Sequence, residues 1–220
     1  MSTEEVTQVQ DAAAPFNDHN AEVILRTSDN VDFYVYKVIL SMASPGFKTM
    51  FALPQPLSPQ TAPVSAMVSG ISTEEPEHKH GVPVIPVAED ARTLDPLLRA
   101  CYPGLGPNVT SLDDVTRILL ASEKYEIKAF HRLAEFILKE HIDTDLVRVY
   151  AIACRFGLET IKSSAQESSV GKDKVELLRA EPDELKLLTV EQYRDLVAYD
   201  PRKKRLASRA TQMRNRKFFE

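Results

Sequence analysis

The sequence predicts an α+β fold: a small sheet of about three strands, a helical body flanking it, and additional helices towards the C-terminus. Three observations predict it. Apolar residues alternate through "EVILRT" (22–27) and "VDFYVY" (31–36). From Val38 the spacing changes to a helical one, and from about residue 90 nearly every apolar residue falls on a helical face. Strands lead, one strand returns at 82–88, and helices follow, which is the order of an α+β chain rather than of a repeating βαβ unit.

Residues 1–20 lack periodicity and are expected to be disordered. The first strand, 22–27, is followed by the turn residues "SDN" (28–30) and the second strand, 31–36, so the pair reads as a hairpin. Val38, Ile39, Met42 and Ala43 then recur at helical spacing and read as core. "SP" (44–45) ends that helix and starts another, because Ser44 can cap and proline suits the first helical position. Phe47, Met50 and Phe51 share one face of this second helix.

Residues 53–81 are rich in Pro, Ser and Thr and too long for an ordinary connection, which predicts a mobile insertion. "VPVIPVA" (82–88) is strand-like, and its two prolines confine it to an edge or to non-donating positions. Four helices with apolar stripes follow. Leu94, Leu97, Leu98 and Cys101 mark one that begins near Thr93, ahead of Pro96. Leu112, Val115, Ile118 and Leu119 mark the next, opened by Ser111 and Asp114 at capping-box spacing. Phe130, Leu133, Ala134 and Ile137 mark the third, and Leu146, Val149, Tyr150 and Ala153 the fourth, which stops at Gly157. "LETIKSSAQESSV" and "EPDELKLL" are weaker helices, and Thr189 with Gln192 opens a last one.

Net charge is −5 over 220 residues, but the average conceals an asymmetry. Behind Pro201 the tail contains Arg202, Lys203, Lys204, Arg205, Arg209, Arg214, Arg216 and Lys217 against a single glutamate. An acidic body therefore carries a basic tail at 201–220, which reads as a nuclear signal or a polyanion-binding segment, for nucleic acid or an anionic membrane, or else as a solvated helix end docked on the chain's own acidic body. The acidic N-terminus lacks the apolar core of a signal peptide, and no run of eighteen apolar residues marks a membrane span. The expected location is cytoplasm or nucleus. Cys101 and Cys154 sit in apolar helical context and read as buried free thiols, with a disulfide left open to geometry.

Chemistry-bearing patterns are sparse. "EHKH" (77–80) reads as a solvated loop, and His131 and His141, ten residues apart, as surface or hydrogen-bonded histidines. Glu89, Asp90, Asp113 and Asp114 lie near helix starts, where capping explains them. No nucleophile elbow, phosphate loop or nucleotide fingerprint is present. No catalytic, cofactor-binding or metal residue is assigned, and no small-molecule substrate is expected.

The ordered pattern F-x-x-x-K-x-x-L-x-x-x-S-P-x-F-x-x-M-F is carried by Phe33, Lys37, Leu40, Ser44, Pro45, Phe47, Met50 and Phe51. Following a hairpin and preceding a strand and helices, it resembles the BTB/POZ domain over about residues 21–160. "VPVIPVAEDARTLDPLLRACYP" and "LVRVYAIACRFGLE" are similar to the BTB proteins common in basidiomycete fungi. The resemblance leaves 161–200 as a C-terminal helical extension. It implies a non-enzymatic protein-interaction module that forms homodimers, recruits co-regulators or serves as adaptor on a cullin scaffold. It also implies a partner surface on the second helix, at Gly46, Lys48, Phe51 and Leu53, and a charged pocket of Glu22 and Lys37. The sequence departs from the family pattern in four places. Tyr36 replaces the usual histidine, and Glu22 the usual aspartate. Gly46 follows "SP" where a bulky residue is common, and "ALPQP" replaces the hydrophobic-x-Glu motif of cullin binders. The N-terminal strand and helix exchanged between protomers in many animal relatives are expected to be rudimentary or absent.

Overall fold

The computed structural model describes residues 8–53, 77–173, 177 and 186–202. The chain divides into two compact units, residues 1–132 and 133–220.

The first unit contains a five-stranded sheet of order β1-β3-β2-β5-β4. β2 (Val23–Arg26) and β3 (Val31–Val35) form the expected hairpin, with Ile24 opposite Tyr34 and Leu25 opposite Phe33. Thr27 closes its turn by exchanging hydrogen bonds with Val31. β5 (Val82–Pro86) lies parallel to β2. Two strands of two residues each, β1 (Gln10–Asp11) and β4 (His78–Lys79), enlarge the three-stranded sheet that the sequence predicts.

These short strands correct two expectations. Residues 8–20, expected to be disordered, form a strap on the sheet. β1 pairs in parallel with β3, Phe16 is completely buried, and the Tyr34 amide donates to the Phe16 carbonyl at 2.9 Å. Residues 77–81, read as the end of a loop, are a strand and a turn. The rest of the expected insertion, 54–76, lies outside the described residues. β2 and β4 flank β5, so of the two placements its prolines allow, it takes the one at non-donating positions. Its prolines are tolerated because alternate amides point to opposite neighbours. Val84 N–H donates to Glu77 on the β4 side and Val87 N–H to Arg26 on the β2 side. The donors missing at Pro83 and Pro86 therefore fall past the ends of the two described ladders.

α1 (Lys37–Ala43) and α2 (Pro45–Ala52) follow β3 and pack on each other. α3 (Ala91–Cys101) and α4 (Leu112–Lys124) form a second packed pair. α3 begins two residues earlier than expected. Asp90 caps it by accepting from the Thr93 amide at 2.9 Å, and Pro96 lies inside the helix. Ser111 caps α4, but Asp114 does not complete a capping box, because its carboxylate is taken by Arg92 and Arg117. Val23, Leu25, Phe33, Val35, Leu40, Leu94, Leu97, Leu98 and Ile118 are all buried. On the other sheet face, Ala21, Ile24, Tyr34 and Val84 make a smaller cluster.

α5 (Ala129–Glu140) runs across the unit boundary, with Phe130, Ala134, Ile137 and Leu138 buried. In the second unit α6 (Leu146–Arg155) packs on α7 (Glu159–Ser168). Leu146, Tyr150, Ala165, Leu177 and Leu196 form its core cluster. Leu196 comes from α8 (Val190–Val197), whose capping box of Thr189 and Gln192 is complete in both directions. Tyr150 is buried and donates its hydroxyl to the Gln192 carbonyl at 3.0 Å. Of the expected "EPDELKLL" helix, 181–185 lie outside the described residues and 186–188 form a turn and bend; the tail beyond Arg202, which is exposed and donates its amide to Asp200, also lies outside them.

Cys101 and Cys154 are free thiols, each half-buried rather than fully buried. Burial pushes the Cys101 thiol up to about 12, which disfavours the thiolate. His141 Nδ1 lies 3.0 Å from the Ile137 carbonyl, whereas His131 Nε2 is buried without a hydrogen-bond partner among the described residues.

Candidate functional site

The turn from β3 through α1 into α2 is fixed on its inner side by Tyr125, the C-cap of α4. Ser44 caps α2 by accepting from the Phe47 amide at 2.9 Å, and its hydroxyl donates to the Tyr125 carbonyl. The Phe47 ring stacks on Tyr125 at 4.5 Å with 6° between the planes, and on Phe51 at 5.8 Å. The Tyr125 hydroxyl donates in turn to Glu89, which also binds Lys124 at 2.8 Å. Burial pushes the Glu89 carboxyl up, but the hydrogen bonds from Lys124 and Tyr125 outweigh it and hold it below the usual carboxylate range.

Gly46 belongs to this inner contact and not to an open partner surface. A Cβ built on it would lie 2.7 Å from the Tyr125 carbonyl oxygen, closer than backbone and side chain can pack. Lys48 and Leu53 are exposed as expected, Leu53 at 61%, and Phe51 is half-buried.

The outer side of the turn carries what sequence reasoning missed. Val38 and Met42, read as core, are 59% and 85% exposed. They stand one helical turn apart on one face of α1. The available signal was that Val38, Ile39, Leu40, Met42 and Ala43 make α1 apolar nearly all round, while a short helix beside a small sheet buries only one stripe. In α1 only Leu40 is fully buried.

Glu22 and Lys37 do meet, though not as two opposed charges. The Glu22 carboxylate accepts from the Lys37 backbone amide at 2.9 Å, while the ammonium lies 5.9 Å above the Phe51 ring. Tyr36, at the N-cap, makes no side-chain cap, so Glu22 supplies one from the entrance of β2. Glu22→Ala is expected to lower stability by about 0.5–2 kcal/mol, the range for a lost cap, in chemical denaturation. The Tyr36 amide donates to the Tyr102 hydroxyl at 2.9 Å, and the Tyr36 hydroxyl donates to Asp18.

The stronger charged cluster lies on the opposite sheet face. Asp32, with a fully buried side chain, accepts from Arg26 at 2.6 and 3.0 Å and from Lys79 at 2.7 Å. Arg26 also binds Glu77 at 2.6 Å, and Lys79 binds Asp11 at 2.6 Å. Burial pushes the Asp32 carboxyl up, and the two cations overcome that and hold it below its ordinary value.

An open groove of about 410 Å³ lies beside the α3 N-terminus, lined among others by Glu89, Asp90, Arg117, Leu120 and Lys124. Its acids are engaged: Glu89 by Lys124 and Tyr125, Asp90 in capping α3. Among the described residues no group of three or more His, Cys, Asp or Glu side chains is arranged to hold a metal ion. No described helix is long and apolar enough to cross a membrane.

The turn therefore has a packed inner side and an outer face on which Val38 and Met42 are exposed among the described residues. The pattern that defines the BTB/POZ domain matches residues 15–142, which takes in β2 to β5 and α1 to α5. No curated protein matches the chain. The chain belongs to the BTB/POZ domain family, and its matched region is a protein–protein interaction module.

Proposed function

We propose that the chain works without catalysis, by self-association through the outer face of α1 and by recruiting a protein partner to the flank of α2. The observation that carries this reading is the exposure of Val38 and Met42, 59% and 85%, on a helix whose inner side is immobilised. Phe51, Lys48 and Leu53 extend the surface along α2. The same patch on two copies makes a self-complementary two-fold contact, the commonest kind in homo-oligomers. A specific interface of this type buries on the order of 1,200–2,000 Å² in total.

Sedimentation of the full chain tests it. A concentration-dependent dimer at tens of micromolar is expected, and Val38→Glu with Met42→Glu should leave a folded monomer. Both substitutions put a charge into what would be a dry contact, where an unpaired charge costs several kcal/mol. A wild type that stays monomeric, or a double variant that still dimerises, refutes self-association by this face.

The cullin-adaptor reading rests on the family relationship, and two departures count against it: Gly46 offers no side chain where a bulky one is common, and "ALPQP" lacks the hydrophobic-x-Glu motif. A folded sample that fails to bind a cullin scaffold at micromolar concentration disposes of it. Similarity of 82–103 and 146–159 to fungal relatives supports placement in that subgroup, with 161–200 as its C-terminal extension and cytoplasm or nucleus as its location. Binding of nucleic acid or anionic membrane by the basic tail is a secondary activity in this reading. It predicts binding whose logarithm falls linearly with log salt and that deletion of 202–220 abolishes.

A further inference from the structure

β1 and β4 are the two outer strands of the sheet, with β3, β2 and β5 between them. Their side chains nonetheless meet on one sheet face. Lys79 of β4 donates to Asp11 of β1 at 2.6 Å and to Asp32 of β3 at 2.7 Å. A second contact repeats the pattern. The His19 ring of the strap lies edge-on to Tyr34 at 4.6 Å, and 5.8 Å from the ring of His80 in the turn after β4.

The register shows what Lys79 does there. Asp11 stands directly opposite Asp32 in the β1–β3 ladder, and Asp32 stands opposite Arg26 in the β3–β2 ladder. Like charges directly opposite one another destabilise a strand pair. The Asp32 side chain is fully buried, so water does little to screen it from Asp11. The Arg26 guanidinium is engaged by Asp32 and by Glu77. Among the described residues Lys79 is the cation that bridges Asp11 and Asp32. The strap therefore brings a carboxylate up against a buried carboxylate, and β4 supplies the charge that makes the approach favourable.

We propose that the strap and the β4 hairpin dock as one coupled unit, with Lys79 making strap docking conditional on β4. A partner that lifts the β4 edge then also loosens the strap at the opposite edge. Because a coupling free energy is reciprocal, a partner that takes the strap loosens β4 to the same extent. The coupling operates within one copy of the chain and does not rest on the self-association reading.

Amide hydrogen exchange of the full-length chain tests it. The Ala12 amide, bonded to the Asp32 carbonyl at 2.9 Å, reports on the strap, and the Val84 amide, bonded to the Glu77 carbonyl at 2.8 Å, reports on β4. The Ile118 amide, in the middle of α4, reports on unfolding of the unit as a whole. Lys79→Met keeps the aliphatic stem and deletes the charge. It should speed exchange at Ala12 by about three-fold or more relative to Ile118. Adding Asp11→Asn to Lys79→Met should bring Ala12 back towards its wild-type rate, because a neutral side chain no longer repels Asp32. If Lys79 merely added one more contact, the double variant would exchange at least as fast as Lys79→Met. Glu77→Gln loosens β4 through Arg26 and leaves Asp11 and Lys79 in place. It should speed exchange at Ala12 as well as at Val84, and it carries the test if Lys79→Met does not fold. The proposal is overturned by an Ala12 rate in Lys79→Met that rises no more than that of Ile118. A double variant without recovery, or a Glu77→Gln effect confined to Val84, overturns it equally.

Discussion

Asp32→Asn is expected to cost about 3–5 kcal/mol of stability, the range for removing one partner of a buried ion pair. The Asp32 side chain is fully buried, and the side chains of Arg26 and Lys79 are only 14% and 25% exposed. An asparagine keeps the shape and one acceptor but leaves two cations short of charge in a site that water reaches poorly. The effect should depend on pH in a defined direction. Arg26 and Lys79 hold the folded Asp32 carboxyl below its unfolded value near 3.9, so its contribution is fully present above that value. It is lost as pH falls through the folded value. The stability gap between wild type and Asp32→Asn in urea unfolding should therefore be constant at neutral pH and narrow below about pH 4. A gap that is small at pH 7, or that widens in acid, would show that the cations are satisfied by water and not by Asp32.

The same cluster explains why parts of the fold were opaque in the sequence. β1 and β4 have two residues each and no periodicity to read. What places them is charge pairing over long separations: Asp11 with Lys79 across 68 residues and Arg26 with Glu77 across 51. Single-sequence patterns carry local information, and these contacts have none. Where local chemistry decides, the reading was close to the structure. The β2–β3 hairpin, the break at Ser44 and Pro45, the α2 cap and the α8 capping box are all set by residues within a few positions of one another.

The exposure of the proposed surface was legible only in part. Lys48 and Leu53 are exposed where the sequence put them. Gly46 was assigned to the same surface because nothing local distinguishes an open glycine from one pressed against a carbonyl of α4's C-cap. Val38 and Met42 were assigned to the core because apolarity marks a residue that could be buried, not one that is. Their exposure follows from the other side of α1 having taken up the available core, a tertiary outcome that the heptad-scale spacing does not contain. The charged pair Glu22 and Lys37 was located correctly, but its chemistry changed from ion pair to helix cap, since the glutamate reaches the amide of α1's first residue.

Phe47→Ala is expected to cost about 3–5 kcal/mol, the range for deleting a fully packed phenylalanine. The ring is sandwiched between Tyr125 and Phe51, so its loss opens a cavity between α2 and the C-terminal end of α4. Gly46→Ala attacks the same joint from the opposite direction. One added methyl group meets the Tyr125 backbone, and overpacking of this kind costs about 1–3 kcal/mol. Lys48→Ala, on the exposed side of the same helix, should stay within about 0.5 kcal/mol of wild type. Denaturant midpoints order the three. Association read beside them separates scaffold from surface. Because α1 and α2 are joined at Ser44, a loosened α2 lets Val38 and Met42 shift, so Phe47→Ala and Gly46→Ala should weaken self-association even where the chain remains folded. Lys48→Ala should not weaken folding, and any effect it has on association belongs to the contact itself. If Phe47→Ala unfolds no more easily than Lys48→Ala, the Tyr125 stack does not hold the turn, and the rigid inner side on which the binding face depends is absent.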